Sequence, residues 1–285
     1  MNSEDIIFID NYKELEQLSL RLNKKEKIAV DFEAESNLHH YGIYLCLIQI
    51  ADNKGIYIVD PIKIKDLSPL KEVFENPKVE KIMYSADFDV RLLYYSHKIK
   101  IVNLYDLQIA AYLLGYGKLS LKDFIMEVLG KEKDEFLDCQ TSDWNIRPLS
   151  KNQITYAADD VRYLILLKKK ISEEIKFKKI GSFIKIRSKK LEDVRFNSDV
   201  EPYMKIKNYH RLNKQQKELF KTFFYIRDEI AKEKNLPPYK IISNEQLIGI
   251  SKKPPKNLEM WIKRFPDKTL WELEKFENAR EELKK

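Results

Sequence analysis

The chain has 285 residues, 44% of them hydrophobic, which suits two ordinary domains with packed cores and excludes wholesale disorder. Its net charge of +7 is uneven: residues 1–170 hold 24 basic and 27 acidic side chains, residues 171–285 hold 28 and 18. No stretch approaches the roughly 20 apolar residues of a membrane span, and two distant cysteines, Cys46 and Cys139, exclude a disulfide framework or zinc site and fit a reducing cytoplasm.

The opening Met1-Asn-Ser-Glu-Asp5 carries early acids with no long apolar run behind it, so no signal peptide is expected. Ile6-Ile-Phe-Ile9 predicts a short strand, and Leu15, Leu18 and Leu22 set helical spacing over Tyr12 to Leu22. Lys27 to Glu33 is a strand running into acids. Tyr44 to Ala51 and Gly55 to Val59 are two more, joined by the turn Asp52-Asn-Lys-Gly55. A helix is expected over Leu67–Phe74 and a strand over Lys81–Tyr84. Ser85 is the natural N-cap for a helix reaching about Tyr95. Ile99–Leu104 reads as a short strand, followed by helices over Leu107–Leu114, Leu121–Leu129 and Lys151–Lys170. Strands interleaved with helices argue for one α/β domain ending near residue 170.

Lys168 to Lys190 carries ten basic and two acidic residues, interleaved with apolar ones such as Ile171, Phe177, Phe183 and Ile184. It reads as a helix turning into a linker that lies beside a polyanion's path. Beyond Glu201-Pro202 only helices are expected, over Asn213–Glu233, Asn244–Gly249, Asn257–Arg264 and Thr269–Lys284, with prolines between them. The division is therefore 1–170, a basic helix and linker at 171–205, and a helical module at 206–285. With seven glycines in the whole chain, no Gly-rich phosphate loop is available. The basic second half suits a polyanionic partner, because lysines that neutralise phosphates release counterions; lysine-rich helices also simply solvate surfaces.

The chemistry lies in scattered acids. Asp31 and Glu33 stand two apart on a strand and face the same way. Carboxylates so placed repel unless a cation sits between them, and hard divalent cations prefer carboxylate oxygens. Acid-x-acid spacing is also common at exposed strand ends. Asp89 lies beside the apolar flank of its helix, formed by Phe88, Leu92, Leu93 and Tyr95; Asp87 is its rival in the first turn, where either acid would favour the helix N-terminus. Tyr156 and Asp160 are one turn apart on one helix face, while Asp159 points about 100° away and reads as a surface charge. A carboxylate holding a metal, with a phenol beside it to orient bound water, would explain that pair; an isolated tyrosine more often packs.

In this order, Asp31-Phe-Glu33, Tyr84-Ser-Ala-Asp-Phe-Asp-Val-Arg-Leu-Leu93, Gln140-Thr-Ser-Asp-Trp-Asn-Ile-Arg-Pro-Leu149 and Tyr156-Ala-Ala-Asp-Asp160 resemble the DEDD superfamily of 3′→5′ exonucleases. The tyrosine four residues before the last aspartate marks the subtype, and within it the chain is similar to ribonuclease D. Tyr105-Asp-Leu-Gln-Ile-Ala-Ala-Tyr-Leu-Leu-Gly115 and Gly42-Ile-Tyr-Leu-Cys-Leu-Ile-Gln49 match as well. The resemblance covers about residues 5–170 and continues more loosely through Pro202–Lys207. The C-terminal helices, with Phe224-Tyr-Ile-Arg-Asp-Glu-Ile-Ala231 and Leu236-Pro-Pro-Tyr239, resemble one HRDC domain, a nucleic-acid-binding module. Two positions depart from the pattern: Tyr84 stands where the family usually has histidine, and Phe32 where threonine is commoner. Phe32 would change packing near the terminal nucleotide.

The resemblance implies an α/β fold with a ribonuclease H-like mixed sheet, followed by a smaller all-α HRDC-like domain. It implies two divalent ions, Mg²⁺ or Mn²⁺. Asp31 would bridge them, Glu33 and Asp160 would complete the site that binds the attacking water, and Asp89 would support the second. Tyr156 would orient and help deprotonate the nucleophile. The 3′-OH would be read near Glu33 and the Phe32 backbone. The implied activity is trimming of single-stranded RNA 3′ ends, transfer RNA precursors among them, with release of nucleoside 5′-monophosphates. DNA is the alternative substrate, since the 2′-OH decides between them, and a non-catalytic RNA-binding adaptor is the alternative of another class. A dinucleotide-dependent oxidoreductase is disfavoured, because no glycine fingerprint follows a strand. No membrane partner is expected, and a monomer is favoured. Trp144 and Arg147 are candidates for base stacking or phosphate contact, with loop packing and acid pairing as the plain alternatives; His39 and His40 read as a surface loop.

Overall fold

The computed structural model describes residues 6–132, 137–196 and 200–283. The chain divides into two compact units, one of Met1–Glu35 with Tyr44–Phe196 and one of Ser36–Ile43 with Asn197–Lys285.

In the first unit, β1 (Ile6–Ile9), β2 (Lys27–Ser36), β3 (Ile43–Ala51), β4 (Ile56–Val59), β5 (Glu80–Met83) and β6 (Leu104–Asp106) form one sheet in the order β1-β4-β3-β2-β5-β6. β3 runs antiparallel to β4, with Ile48 opposite Val59. β5 is parallel to β2, with Ala29 opposite Ile82, and β6 is parallel to β5, with Met83 opposite Asp106. This is the mixed α/β sheet expected from the sequence. Ile28, Ala29 and Val30 are all buried, as consecutive apolar residues are in a central strand covered on both faces. The carboxyl ends of β2, β5 and β6 open on one edge, where open α/β sheets place their ligands.

Around the sheet lie α1 (Tyr12–Leu22), α2 (Ser68–Phe74), α3 (Asp87–His97), α4 (Leu107–Leu114), α5 (Leu121–Leu129), α6 (Lys151–Arg162), α7 (Leu164–Phe177) and α8 (Gly181–Leu191). One core joins Ala29, Leu47 and Ile82 of the sheet to Phe124, Ala157, Leu167 and Ile184 of the helices.

Three expectations are corrected here. The single helix over 151–170 is two, separated at Tyr163. Most of the segment 171–205 is not a linker: α7 and α8 belong to the first unit, and Ile171 and Ile184 are buried in its core. α8 also closes the open side of β6. Its Ser188 hydroxyl accepts from the Asp106 N–H at 3.0 Å, and Glu192 accepts from the Leu104 N–H at 3.1 Å, so the edge strand keeps no bare donors there. Finally, Ser85 does not cap α3. It takes a left-handed conformation (φ 60), and its backbone is held by Asp106 instead.

The second unit is helical: 3-10 turns at Pro202–Lys205 and Tyr209–Arg211, then α9 (Lys214–Lys234), α10 (Pro238–Ile241), α11 (Asn244–Lys252), α12 (Leu258–Arg264) and α13 (Leu270–Glu282). Lys284, the expected end of the last helix, lies outside the described residues. Aromatic rings make its core, with Phe223 edge-on to Trp261 and Phe276 at 5.7 and 5.6 Å. Residues 36–43 are part of this unit. The Tyr41 hydroxyl donates to Asp228 at 2.7 Å, and the Tyr239 hydroxyl donates to the Leu38 carbonyl at 2.9 Å. His39 and His40 are therefore partly buried in a packed turn rather than in an open surface loop, and a His40 ring nitrogen lies 3.4 Å from the Asn235 amide. Among the described residues no helix is long and apolar enough to cross a membrane.

Candidate active site

β2 delivers two carboxylates to one face. Asp31 and Glu33 alternate with Phe32, whose ring turns the other way and packs edge-on against Phe74 at 6.1 Å. Phe32 thus reaches this site through its backbone, not its side chain, and the expected effect on packing around a terminal nucleotide does not arise from its ring.

α3 brings Asp89. Its rival Asp87 is exposed and paired with Arg91 at 2.7 Å, one turn on, whereas Asp89 is buried. α6 brings Tyr156 and Asp160. A capping box at its start, in which Ser150 and Gln153 each bond the other's backbone, fixes where the helix begins. Ala157 and Ala158 are fully buried and press α6 against the core, leaving Tyr156 and Asp160 on the side of the acids. Asp159 is not the free surface charge expected from its angle. It is largely buried and paired with Arg162 at 2.7 Å.

The acids meet. Carboxylate oxygens of Asp31, Glu33 and Asp160 all lie within 4.8 Å of one another. Asp89 stands outside that tight cluster but close enough for its charge to act on all three. Burial, then the charges of Asp160, Asp89 and Glu33, holds the Asp31 carboxyl well above the ordinary range; burial, Asp160 and Asp89 do the same to Glu33. Asp89 is pushed up to about 8 by burial and by Asp106, and Asp160 to about 8 by burial, Asp159 and Asp89. The Tyr156 phenol is likewise raised, by burial and then by Asp160, Glu33 and Asp31. Among the described residues no lysine or arginine pairs with any of the four acids. A half-buried group of carboxylates that, among the described residues, pairs with no lysine or arginine fits hard divalent ions, which take oxygen ligands and relieve this repulsion.

Beside Tyr156 and Asp160 opens a cleft of about 310 Å³, lined also by Ser120, Leu121, Lys122 and Ile125 from the start of α5. Trp144 does not line it as a stacking platform. It is buried, with its ring 6.0 Å from that of Tyr156, and so backs the phenol from behind. Arg147 is also structural: it donates twice to buried Asp60, at 2.6 and 3.0 Å, and to the carbonyls of Trp144, Ile146 and Cys46.

One residue of consequence escaped the sequence reading. Asp106, at the end of β6, is buried and accepts four backbone N–H groups: Ser85 at 3.3 Å and Ala86 at 2.9 Å from the turn entering α3, and Gln108 at 2.7 Å and Ile109 at 3.3 Å from α4, which it caps. It ties the end of one strand to the turn that aims Asp89. The available signal was an aspartate directly before an apolar helix, a plain N-cap pattern.

Residues 6–176 match the family model of the 3′-5′ exonuclease domain (DNA_pol_A_exo1), and residues 216–260 match that of the HRDC domain. Among curated proteins, the exosome complex component 10 homolog of Caenorhabditis elegans is 28% identical over 261 residues, covering 89% of this chain and 29% of that protein. Ribonuclease D of Sphingobium indicum is 31% identical over 256 residues, covering 88% of this chain and 65% of that protein. The chain thus spans less than a third of the exosome component and about two thirds of the ribonuclease. Among solved structures, the catalytic core of RRP6 from Trypanosoma brucei superposes with a TM-score of 0.82 at 23% identity, over 97% of this chain and 80% of that one, a likeness of fold.

Proposed function

The chain belongs to the 3′-5′ exonuclease family, and from that premise we propose that it shortens single-stranded RNA from the 3′ end, releasing nucleoside 5′-monophosphates. The observation that carries the proposal is the meeting of Asp31, Glu33 and Asp160 within 4.8 Å, with Asp89 near and no lysine or arginine paired with them among the described residues.

In this reading Asp31, Glu33 and Asp160, with Asp89 beside them, would hold the divalent ions, Mg²⁺ or Mn²⁺. Bound there, such ions supply an acidified water and charge neutralisation at the phosphate. The protein's own groups do the rest. Tyr156, one turn from Asp160 and backed by Trp144, positions the attacking water through its phenol, which burial and nearby carboxylates keep protonated near neutrality. The backbone at Phe32 and the Glu33 carboxylate face the terminal ribose and read its 3′-OH. The cleft beside Tyr156 takes the adjoining nucleotide.

RNA is preferred over DNA because the relatives include enzymes named ribonuclease D and because an HRDC domain follows. Transfer RNA precursors are the proposed natural substrates, and a reducing cytoplasm the proposed setting. Incubation with 5′-labelled single-stranded RNA in Mg²⁺ or Mn²⁺ should give a descending ladder that Asp31→Ala and Asp160→Ala abolish. Absence of a ladder on RNA and DNA alike, in both metals, overturns the proposal; a ladder on DNA alone reassigns the substrate.

A further inference from the structure

α8 has two faces of opposite character. Inward, Ile184 and Ser188 are fully buried, four residues apart, and fix the helix against the core and β6. Outward, the surface from the end of α7 through α8 is both basic and apolar. Phe177 is 85% exposed, Phe183 60% and Ile186 57%. Around them stand the exposed cations Lys176, Lys178, Lys179, Lys185, Arg187, Lys189 and Lys190, with no acid in the sequence between them. Lys176 and Lys178 are paired with Glu173 and Glu174 at 2.7 and 2.9 Å. Among the described residues Lys179, Lys185, Arg187, Lys189 and Lys190 make no ion pair.

The helical period arranges these groups. Phe183, Ile186 and Lys190 share one outward strip, with Lys185 and Lys189 on one flank and Arg187 on the other. An inert solvated face would carry mixed charges and few large apolar side chains. Here uncompensated cations would repel one another, and a phenylalanine is left without cover. A polyanion whose units also present flat apolar faces satisfies both conditions, and that describes single-stranded nucleic acid: phosphates meet the cations and bases stack on aromatic rings. Cations outnumber the exposed apolar groups, which favours a phosphate backbone over a lipid surface.

We infer that the outer face of α8, built on Phe183, Lys185, Arg187 and Lys189, is a second contact for the single strand whose 3′ end enters the acidic site. The inference rests on the nuclease reading and adds a docking surface within the exonuclease unit itself, separate from the HRDC domain. It needs no chemistry of its own: the face raises the residence of the strand.

The test is fluorescence anisotropy with labelled single-stranded oligouridine in EDTA, so that binding is read without turnover. The probe proteins are the full chain, the triple variant Lys185→Glu, Arg187→Glu, Lys189→Glu, and Phe183→Ala, each checked for an unchanged thermal midpoint. The triple variant should bind at least about tenfold more weakly, and the slope of log affinity against log salt should fall by about 2, since each phosphate contact on a single strand contributes roughly 0.7. Phe183→Ala should weaken binding about fivefold or more with the salt slope unchanged, as expected for a lost stacking partner. Equal affinity and slope in the wild type and the triple variant would overturn the inference while leaving the nuclease reading intact. A wild-type protein with no affinity for any oligonucleotide would overturn both. Loss of binding to phosphatidylserine-containing vesicles, with oligouridine affinity retained, would overturn it in favour of a membrane contact.

Discussion

Asp87 and Asp89 occupy the same turn of α3 but meet different surroundings. Asp87 is half-exposed and already paired with Arg91, so Asp87→Asn should change stability by less than about 1 kcal/mol and leave turnover unchanged. Asp89→Asn removes an oxygen ligand facing Asp31 and should abolish cleavage while leaving the folded protein intact; a side-by-side rate assay of the two variants checks this. Asp106 works at one remove. In Asp106→Asn an amide would confront the Ala86 N–H, donor against donor, and the anion beside Asp89 would be lost. The clash misaligns the turn that carries Asp89 and should weaken divalent binding by about tenfold or more, measurable as a raised Mn²⁺ dissociation constant in calorimetry. Arg147 gives the contrasting case. Its loss strands the buried Asp60 carboxylate, so Arg147→Ala should cost about 3 kcal/mol in urea unfolding, a structural effect with no change in Mn²⁺ affinity.

At the scale of elements, α6 shows why some of this site was legible. Its start is written in Ser150 and Gln153, its site face in the spacing of Tyr156 and Asp160, and its buried face in two alanines. Removing the cap, in Ser150→Ala, should cost about 1 kcal/mol and lower the thermal midpoint before it harms turnover, because the alanines still anchor the helix. Its end was not legible: no glycine or proline marks Tyr163, and the apolar pattern runs on through Leu164 and Leu167. α8 was missed for another reason. Only Ile184 and Ser188 face inward, and one of these is polar, so cations and exposed apolar residues mask the buried stripe. What pairwise spacing within an element encodes could be read; what depends on a partner from elsewhere, as Asp106 and Ser188 do, could not. The same limit hid the role of Trp144, since nothing local says that its ring backs a tyrosine twelve positions away.

Across the whole molecule, the uneven charge takes on a physical meaning through pH. The first 170 residues are net acidic, and several of their acids crowd together at half-buried positions with no lysine or arginine paired to them among the described residues. In the metal-free protein Asp89 and Asp160 hold their protons up to about 8, whereas in the unfolded chain they lose them near the ordinary value of 3.8. Between those limits the native state binds more protons than the unfolded state, so stability falls as pH rises. The contribution is complete below about 4 and is lost as the pH climbs through about 8. Each acid that keeps its proton adds a slope of at most about 1.4 kcal/mol per pH unit. Other groups pull the opposite way, among them Asp52 and Glu272, whose carboxyls are held low by Lys25 and Lys234 despite the opposing effect of burial. A bare melting curve would therefore mix both signs. The double variant Asp89→Asn, Asp160→Asn isolates the cluster, because it removes two titrating groups and relieves the repulsion that raises Asp31 and Glu33, while groups outside the cluster such as Asp52 and Glu272 are unaffected. In EDTA, wild-type stability should decline more steeply than that of the double variant between pH 5 and 8 (on the order of 1 kcal/mol per unit or more). Millimolar Mg²⁺ should flatten the wild-type curve toward that of the variant, since a bound cation replaces the protons that otherwise quench the repulsion. Parallel curves in EDTA, measured by urea unfolding across that range, would show that these acids ionise freely in the folded state and that no cation is needed to hold them together.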